Sequence, residues 1–519
     1  LKSAMENWKR FSANLLNHVN PYTGMAWKDD PALISISLIN EDPLISVWDN
    51  TPESRKIYKE RFQEWLNEKG LSNKENTDEY FNFFLTELYR KGFSEMSSWL
   101  RSIGVKAMLS DTNMITSIPL VYCRQDFDYV DNHFYWDHPH FVETPWRLPS
   151  SFSNSSVIEK FASVPGSLFP SKILGKPIMI TEFNFAYPNS QRAEGGPITG
   201  AYASLQGWNA LYRFSYAHDS KFITQDAPNT YFDTSVDPLN MLSDKIALLM
   251  FLRGDVSEAT ESIPFLLSEK YYENPRAKNF FPSIAWKTGL IKKVGTIIVS
   301  NKTSIPENAI ATMGLEKTLS NNLTVPFFDV SEEKEKNIFD EMLNKNLLKG
   351  INKEQTEFIS STGEITLDQK EKAFKVITKN SETFVLGNMT GMKGNVMEIL
   401  KNNGYVLISI ASIDGKELNN SEKILFLHLT DIQNSKVKFK EDGKRRILEK
   451  WGELPHLLRK GDAEIKLNGI NPELKVWAID LSGKKIEEIP VKREKNTIIF
   501  NANTFLNSGK TCMVYEISK

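Results

Sequence analysis

The segment Pro31-Ala-Leu-Ile-Ser-Ile-Ser-Leu-Ile39 is the feature of the sequence that most constrains the fold. Its stretch from Leu33 to Ile39 holds five large aliphatic residues and two serines. Such a short β-branched run, with a proline on both sides, fits no helical period and predicts a buried strand. Near-continuous apolar strands are typical of parallel sheets covered on both faces. Asn40-Glu41 follows directly, so an amide and a carboxylate are expected at the carboxyl end of a parallel strand.

Strands and helices alternate through residues 1–255. The predicted helices cover residues 3–19, 54–69, 79–103, about 199–209 and 237–252, and the predicted strands cover residues 33–39, 104–110, 127–136, 176–181 and 210–216. Alternation of this kind predicts a parallel α/β sheet. A carboxylate, amide or imidazole cluster follows each strand, at the edge where barrel enzymes carry their catalytic groups.

Glu182 follows the predicted strand of residues 176–181, just as Glu41 follows the strand of residues 33–39. In a closed barrel, side chains at the ends of two such strands face each other across the mouth. Two opposed carboxylates suit cleavage of a glycosidic bond, because one protonates the leaving oxygen while the other attacks the anomeric carbon. Their pKa values must be held apart, and repulsion across a short gap is expected to raise the pKa of the acid.

These residues resemble the clan A retaining glycoside hydrolases, which include the cellulase-like family 5 enzymes. That clan places an Asn-Glu acid/base at the end of barrel strand four and a Glu nucleophile at the end of strand seven. Asn40-Glu41 matches the first motif, and Ile180-Thr-Glu-Phe-Asn184 matches the second. The resemblance covers about residues 1–255 and implies three roles: Glu41 is the acid/base, Asn40 holds the sugar 2-hydroxyl, and Glu182 is the nucleophile.

The segment Asp131-Asn-His-Phe-Tyr135 is similar to the His-x-Tyr element of the same clan. In that clan the tyrosine of this element contacts the nucleophile. By resemblance, His133 and Tyr135 would therefore orient Glu182 and contact the substrate.

Five further residues are predicted to contact the substrate. Trp48 and Trp136 follow predicted strands and could stack against sugar rings, while Asn113 and Asn184 are expected to line the cleft. Clan members usually carry a tryptophan at the end of strand eight, where this sequence has Phe-Ser-Tyr216. Tyr216 is therefore the weaker candidate for the floor of the subsite that binds the cleaved sugar.

The strand count departs from a complete barrel. If Glu41 ends strand four, strands one to three are missing, and five strands cannot close an eight-stranded barrel. The expectation is a partial (β/α)8 TIM barrel (strands 4–8), whose N-terminal segment comes from the same protein or from a separate chain. A smaller open sheet is the alternative.

The texture of the sequence changes after residue 255. Residues 256–362 mix short strands with a charged helix from Glu332 to Leu348, which predicts a small α/β domain. Residues 363–519 show short alternating strands separated by turn residues, which predicts a β-sandwich. The predicted fold class is therefore α/β plus β, in three domains: 1–255, 256–362 and 363–519.

Composition and charge narrow the set of partners. The net charge is −2 with both signs interspersed, so neither nucleic acid nor a membrane is expected as a partner. No apolar run approaches the ~18 residues of a membrane span. Two cysteines cannot build a Cys metal site, and the spacing of His133, His138 and His140 is uncommon for metal ligands. We expect no metal and no cofactor, and the sequence leaves the location open, secreted or periplasmic export included.

The sequence thus predicts a retaining glycoside hydrolase that cleaves β-linked oligo- or polysaccharides by double displacement on Glu182. Two alternatives stay open. One is a catalytically inactive carbohydrate-binding or assembly protein, and the other is a transglycosidase that uses the same residues.

Overall fold

The computed structural model describes residues 2–42, 44–74, 77–114, 116–270, 280–300, 310–313, 339–340, 342–344, 346–387 and 391–519, with residues 79 and 310–313 described by their backbone alone. Most of the expected charged helix from Glu332 to Leu348 lies outside the described residues. Within the described part of the chain, no helix is long and apolar enough to cross a bilayer.

Helices occupy mainly the first 255 residues. They are α1 (Lys2–Leu16), α2 (Leu44–Val47), α3 (Pro52–Glu68), α4 (Phe81–Ser102), α5 (Ile118–Arg124), α6 (Ser163–Gly166), α7 (Gly195–Leu205), α8 (Lys221–Thr224), α9 (Pro238–Ala247) and α10 (Ser283–Gly289). A capping box of Thr51 and Ser54 starts α3, and the Asp237 side chain accepts the first N–H groups of α9.

Helix α7 begins earlier than the predicted bound of about residue 199. Its first turn contains Gly195 and Gly196, which the sequence pattern alone does not favour in a helix. A Cβ atom at Gly196 would lie 1.9 Å from the Ser243 carbonyl oxygen of α9. Close packing of the two helices therefore requires glycine here and overrides its low helical propensity.

Seven strands belong to the first 255 residues. They are β1 (Ser35–Ile39), β2 (Met108–Thr112), β3 (Val130–Trp136), β4 (His140–Phe141), β5 (Ser150–Phe152), β6 (Ile178–Phe185) and β7 (Ala210–Arg213). All five predicted strands are present as β1, β2, β3, β6 and β7, and every pairing among them is parallel.

The five parallel strands form two sheets, β1–β2 and β3–β6–β7. Strands β2 and β3 lie side by side, since Asp128 N–H donates to the Leu109 carbonyl at 3.0 Å and Ser110 Oγ donates to the Tyr129 carbonyl at 3.0 Å. No ladder joins these two strands within the described residues. Closure into part of a barrel therefore stays a prediction.

Strand β1 is less buried than the sequence predicts. Leu38 is buried, whereas Ser35, Ile36, Ser37 and Ile39 are half-buried. The expectation of a strand covered on both faces is wrong for β1, because among the described residues it pairs only with β2 and its other edge meets no strand.

Residues 256–313 hold a second parallel sheet. Its strands are β8 (Ser262–Ser268), β9 (Lys293–Val299) and β10 (Ile310–Met313), in the order β10–β8–β9. The Thr296 N–H of β9 donates to the Lys172 carbonyl at 2.6 Å, and the Leu174 N–H donates back to the Thr296 carbonyl at 3.0 Å. One hydrophobic core continues from the first 255 residues through this sheet into the C-terminal region.

The C-terminal region is a large antiparallel β structure. Its strands are β11 (Glu357–Ile359), β12 (Ile365–Asp368), β13 (Ala373–Ile377), β14 (Ser381–Leu386), β15 (Met392–Lys393), β16 (Met397–Asn402), β17 (Val406–Ser412), β18 (Lys423–Leu429), β19 (Ile432–Ser435), β20 (Lys438–Asp442), β21 (Arg445–Lys450), β22 (Glu453–Leu458), β23 (Asp462–Asn468), β24 (Lys475–Ile479), β25 (Lys485–Ile489), β26 (Val491–Glu494), β27 (Thr497–Asn503) and β28 (Val514–Ser518).

Two of the C-terminal sheets pack face to face. A nine-stranded sheet has the order β11–β12–β13–β14–β17–β18–β28–β24–β25, and a five-stranded sheet has the order β15–β16–β23–β27–β26. Phe384 and Ile408 of the first sheet share one buried cluster with Ile399, Ile465 and Ile498 of the second. The first sheet starts at β11, before the predicted boundary at residue 363.

A further sheet joins the two ends of the chain. The C-terminal hairpin β20–β21 pairs with β5, and β5 pairs with β4, all antiparallel. The Arg445 guanidinium donates to the Ser151 hydroxyl at 3.1 Å and to the Ser151 carbonyl at 3.0 Å. This pairing fixes the loop that follows β3, next to the residues described below.

Candidate active site

Glu41, His133 and Glu182 meet at the carboxyl ends of β1, β3 and β6. One ligand atom from each of the three side chains lies within 4.8 Å of the other two. His133 Nδ1 is 2.7 Å from Glu41 Oε1 and 3.4 Å from Glu182 Oε2. The Tyr135 hydroxyl donates to Glu182 Oε2 at 2.5 Å. The structure thus brings together both predicted carboxylates and the predicted His-x-Tyr pair.

An irregularity in the β3–β6 pairing aims Glu182 at this point. Asn132 pairs with Ile180, but the next residue, His133, pairs with Glu182, so Thr181 is an extra residue in β6. Bulges of this kind redirect side chains beside active sites. Glu182 therefore lies within β6, which continues to Phe185, and does not follow its end as the sequence pattern suggested.

The backbone of Glu41 is held in an uncommon conformation. Its φ is 48°, in the left-handed region that non-glycine residues rarely adopt. The Glu41 N–H donates to Asn113 Oδ1 at 2.8 Å, and Asn113 Nδ2 donates to Asn40 Oδ1 at 3.0 Å. Asn113 is buried and Asn40 is exposed, so Asn113 positions the Asn40-Glu41 turn while the Asn40 side chain lies at the surface.

A hydrogen-bond chain behind His133 determines which of its nitrogens carries a proton. The Thr181 hydroxyl donates to Asp131 Oδ1 at 2.8 Å, and Ser37 Oγ donates to Asp131 Oδ2 at 2.6 Å. Thr181 Oγ1 can therefore accept from the Nε2–H of His133, 2.9 Å away. Nδ1 then faces the Glu41 carboxylate, and a single proton between Nδ1 and Oε1 satisfies both groups.

The pKa of Glu41 is lowered from its usual value, first because His133 hydrogen-bonds to the carboxylate and then because of the charge of His133, while partial burial acts in the opposite direction. The sequence led us to expect repulsion between carboxylates to raise the pKa of the acid. That expectation is wrong for Glu41 because His133, and not Glu182, is its nearest charged neighbour.

Arg124 is a buried support residue that the sequence reasoning missed. Its Nε donates to Asp111 Oδ1 at 3.1 Å, its Nη1 to Asn132 Oδ1 at 3.0 Å and its Nη2 to the Thr112 carbonyl at 2.9 Å. Burial raises the pKa of Asp111 to about 6, although Arg124 acts to lower it. Arg124 thus joins β2 to β3, which lack a ladder, and an arginine in the apolar segment 118–124 was the available signal.

Four predicted substrate-binding residues lie away from the carboxylates. Trp48 packs on Phe81, with ring centroids 4.5 Å apart, beside a groove of about 600 Å³. Trp136 is half-buried, and its Nε1 donates to the Ser155 carbonyl at 2.8 Å. Asn184 is fully buried and Tyr216 is 59% exposed.

Asn184 and Tyr216 need correction. Asn184 Nδ2 donates to the carbonyls of Phe214 and Phe232, so its role is to tie β6 to two loops, and its burial keeps it from a sugar. Tyr216 lies beyond the end of β7 at Arg213. Phe214, and not Tyr216, contacts Tyr135, with ring centroids 6.1 Å apart.

The carboxylate cluster could also be read as ligands for a cation. Glu41, His133 and Glu182 offer two oxygens and one nitrogen at suitable mutual distances. However, both ring nitrogens of His133 already have hydrogen-bond partners, and a metal at Nδ1 would displace its contact with Glu41. The arrangement better suits two carboxylates that divide the roles of proton donor and nucleophile.

Comparisons with known proteins leave the chain unassigned. No protein-family model matches it, and no curated protein matches it. Among solved structures, it is similar to a catalytic mutant of Gan42B, a GH42 β-galactosidase from G. stearothermophilus, with 9% identity, a TM-score of 0.30, and coverage of 86% of this chain and 75% of that one. It is also similar to the β-galactosidase from Rahnella sp. R3, with 9% identity, a TM-score of 0.36, and coverage of 97% and 82%. Likenesses this weak carry no argument about function, and none supports family 5 in particular.

Proposed function

We propose that this protein is a retaining glycoside hydrolase acting on β-linked sugars. The observation that carries the proposal is the convergence of Glu41 and Glu182, whose nearest ligand atoms lie within 4.8 Å. Retaining enzymes hold their two carboxyl groups ~5–5.5 Å apart, whereas inverting enzymes leave ~6.5–9.5 Å for a water molecule. The short gap supports direct attack by a carboxylate.

The two carboxylates then act in two steps. Glu182 attacks the anomeric carbon while the bond to the leaving oxygen breaks, and Glu41 donates its proton to that oxygen. In the second step Glu41 takes a proton from water, which attacks the anomeric carbon and releases Glu182. Tyr135 holds Glu182 through its hydrogen bond, and His133 shares the proton of Glu41 between the steps.

The proposal includes further barrel strands beside β1, supplied by the same protein or by a separate chain. The basis is the free edge of β1 among the described residues and the inability of five parallel strands to close a barrel. Hydrogen exchange tests this part. Slow exchange of the β1 amides in the active enzyme is expected, and rapid exchange of all of them would contradict it.

Substitution of each carboxylate tests the division of roles. Glu182→Gln should lose nearly all turnover on every aryl β-glycoside. Glu41→Gln should lose about 100- to 10,000-fold on p-nitrophenyl glycosides but far less on 2,4-dinitrophenyl glycosides, whose leaving group needs no proton. Glu53→Gln, at an exposed position in the first turn of α3, is the matched control and should keep full activity.

The same assay separates the alternatives. Binding of glycosides without turnover of any of them would indicate a carbohydrate-binding protein. Products longer than the substrate would indicate transfer to a sugar acceptor in place of water. Equal losses of Glu41→Gln on both leaving groups would contradict the acid role.

A further inference from the structure

Trp146 is an exposed tryptophan close to the carboxylates. It lies in the loop between β4 and β5 and is 63% exposed. Its φ is 63°, and the left-handed region is a genuine outlier for a bulky residue. Such conformations persist where the surroundings hold them in place, and they cluster at ligand-binding sites.

A chain of ring contacts connects Trp146 to the nucleophile. The Trp146 ring meets His138 edge-on, with centroids 5.8 Å apart, and His138 meets Tyr135 edge-on at 5.4 Å. The Tyr135 hydroxyl binds Glu182. Trp146 is thus two ring contacts away from the side chain that holds Glu182.

Buried Phe232 is the centre of this aromatic group. Its ring centroid lies 5.4 Å from Tyr135 and 6.2 Å from Trp146 on one side. On the other side it lies 6.5 Å from His218, whose side chain is 49% exposed and whose Nδ1 is 2.8 Å from Asp233 Oδ1. Two exposed rings, Trp146 and His218, therefore flank Tyr135 on a common support.

The Trp146 loop is fixed at both of its ends. The Val142 N–H donates to the Pro149 carbonyl at 3.1 Å, and the Arg147 N–H donates to the Thr144 carbonyl at 3.1 Å. Strand β5, directly after the loop, pairs with β21 of the C-terminal region. An exposed tryptophan on such a fixed loop meets a ligand with little loss of conformational entropy.

We infer that Trp146 and His218 form a second sugar subsite, which binds the pyranose unit next to the one that is cleaved. This inference rests on the proposed function and names its substrate class, a β-linked oligosaccharide. A pyranose ring has an apolar C–H face and a polar rim, and an exposed aromatic ring offers the matching apolar surface. The other loop tryptophans are less available, since Trp48 packs on Phe81 and Trp208 is buried.

Binding measured without turnover tests the subsite. In the Glu182→Gln background, isothermal titration with cellotetraose, xylotetraose, mannotetraose and β-1,4-galactotetraose gives the affinity for each sugar. For the tetrasaccharide that binds most tightly, Trp146→Ala should weaken binding about tenfold, and Trp146→Phe should retain most of the affinity.

Trp27→Ala is the matched control. Trp27 is also exposed, at 42%, and it also meets a histidine edge-on, His18, with centroids 5.8 Å apart. Its substitution should leave the affinity unchanged, and circular dichroism checks that each variant is folded.

Three results would overturn the inference: wild-type affinity in Trp146→Ala, an equal loss in Trp27→Ala, or no binding of any tetrasaccharide. None of them touches the proposed function, which aryl monoglycosides test because they occupy only the subsite of the cleaved sugar.

Discussion

At the scale of single residues, the proton between Glu41 and His133 is the central feature. Sequence reasoning found the catalytic candidates and the His-x-Tyr pair, because residue type and position after a strand identify them. It did not find that His133 lies closer to Glu41 than to Glu182. That preference depends on the extra residue Thr181 in β6 and on the left-handed Glu41, which no sequence pattern reveals.

His133→Ala should shift the pH profile in a defined direction. His133 is the first cause of the lowered pKa of Glu41, so its removal raises that pKa. If Glu41 is the acid, it must carry a proton in the free enzyme, and the basic limb of the kcat/KM profile should move to higher pH.

His140→Ala is the control for this pH profile, because His140 is exposed on β4. Its profile should match that of the wild type. A basic limb that stays in place in His133→Ala, or moves to lower pH, would argue against Glu41 as the acid.

At the scale of elements, alternating apolar patterns were enough to find the parallel strands and most of the longer C-terminal strands. They were not enough to find β20 and β21, whose residues are mostly charged and only partly buried. Nor could they reveal that β21 pairs with β5, since Arg445 and Ser151 are 294 residues apart in sequence. Pairing over such a distance is decided by the packing of the whole chain.

Leu448→Ala tests the importance of the β5–β21 pairing. Leu448 of β21 is fully buried in a cluster with Phe152 of β5 and Phe232. Removing a buried leucine side chain typically costs about 2–4 kcal/mol, which urea unfolding measures as a lower midpoint. Leu481→Ala, at a position 60% exposed, should change stability by less than about 0.5 kcal/mol. Equal stability of the two variants would show that this cluster contributes nothing.

At the scale of the whole molecule, buried polar groups join the N-terminal and C-terminal regions. Fully buried Arg192 binds Asp237 at 2.7 Å and Asp431 at 3.2 Å. Nearby, Glu194 accepts from the Val157 N–H at 2.9 Å and from the Tyr405 hydroxyl at 3.0 Å. The interface therefore depends on ionisable groups, and its stability should depend on pH.

Burial raises the pKa of Glu194 to about 7 from a usual value of 4.5, against the effect of its hydrogen bonds. The folded chain thus keeps a proton that the unfolded chain releases, so stability falls as pH rises from about 5 to 7. The expected loss is on the order of 3 kcal/mol.

Glu194→Gln cannot ionise, so its thermal midpoint should fall less than that of the wild type between pH 5 and pH 8. Its midpoint should be lower at pH 5, because the amide nitrogen cannot accept from Val157. Glu473→Gln, an exposed control, should follow the wild type. A wild-type slope in Glu194→Gln would show that Glu194 does not set the pH dependence.

Covalent trapping tests the central claim most directly. The protein is incubated with a panel of 2-deoxy-2-fluoro β-glycosides, and the labelled peptide is identified by mass spectrometry. We expect the label on Glu182, and the sugar that reacts names the specificity of the cleavage subsite. A label on any other residue, or no label from any sugar in folded protein that includes the proposed further strands, would contradict the account.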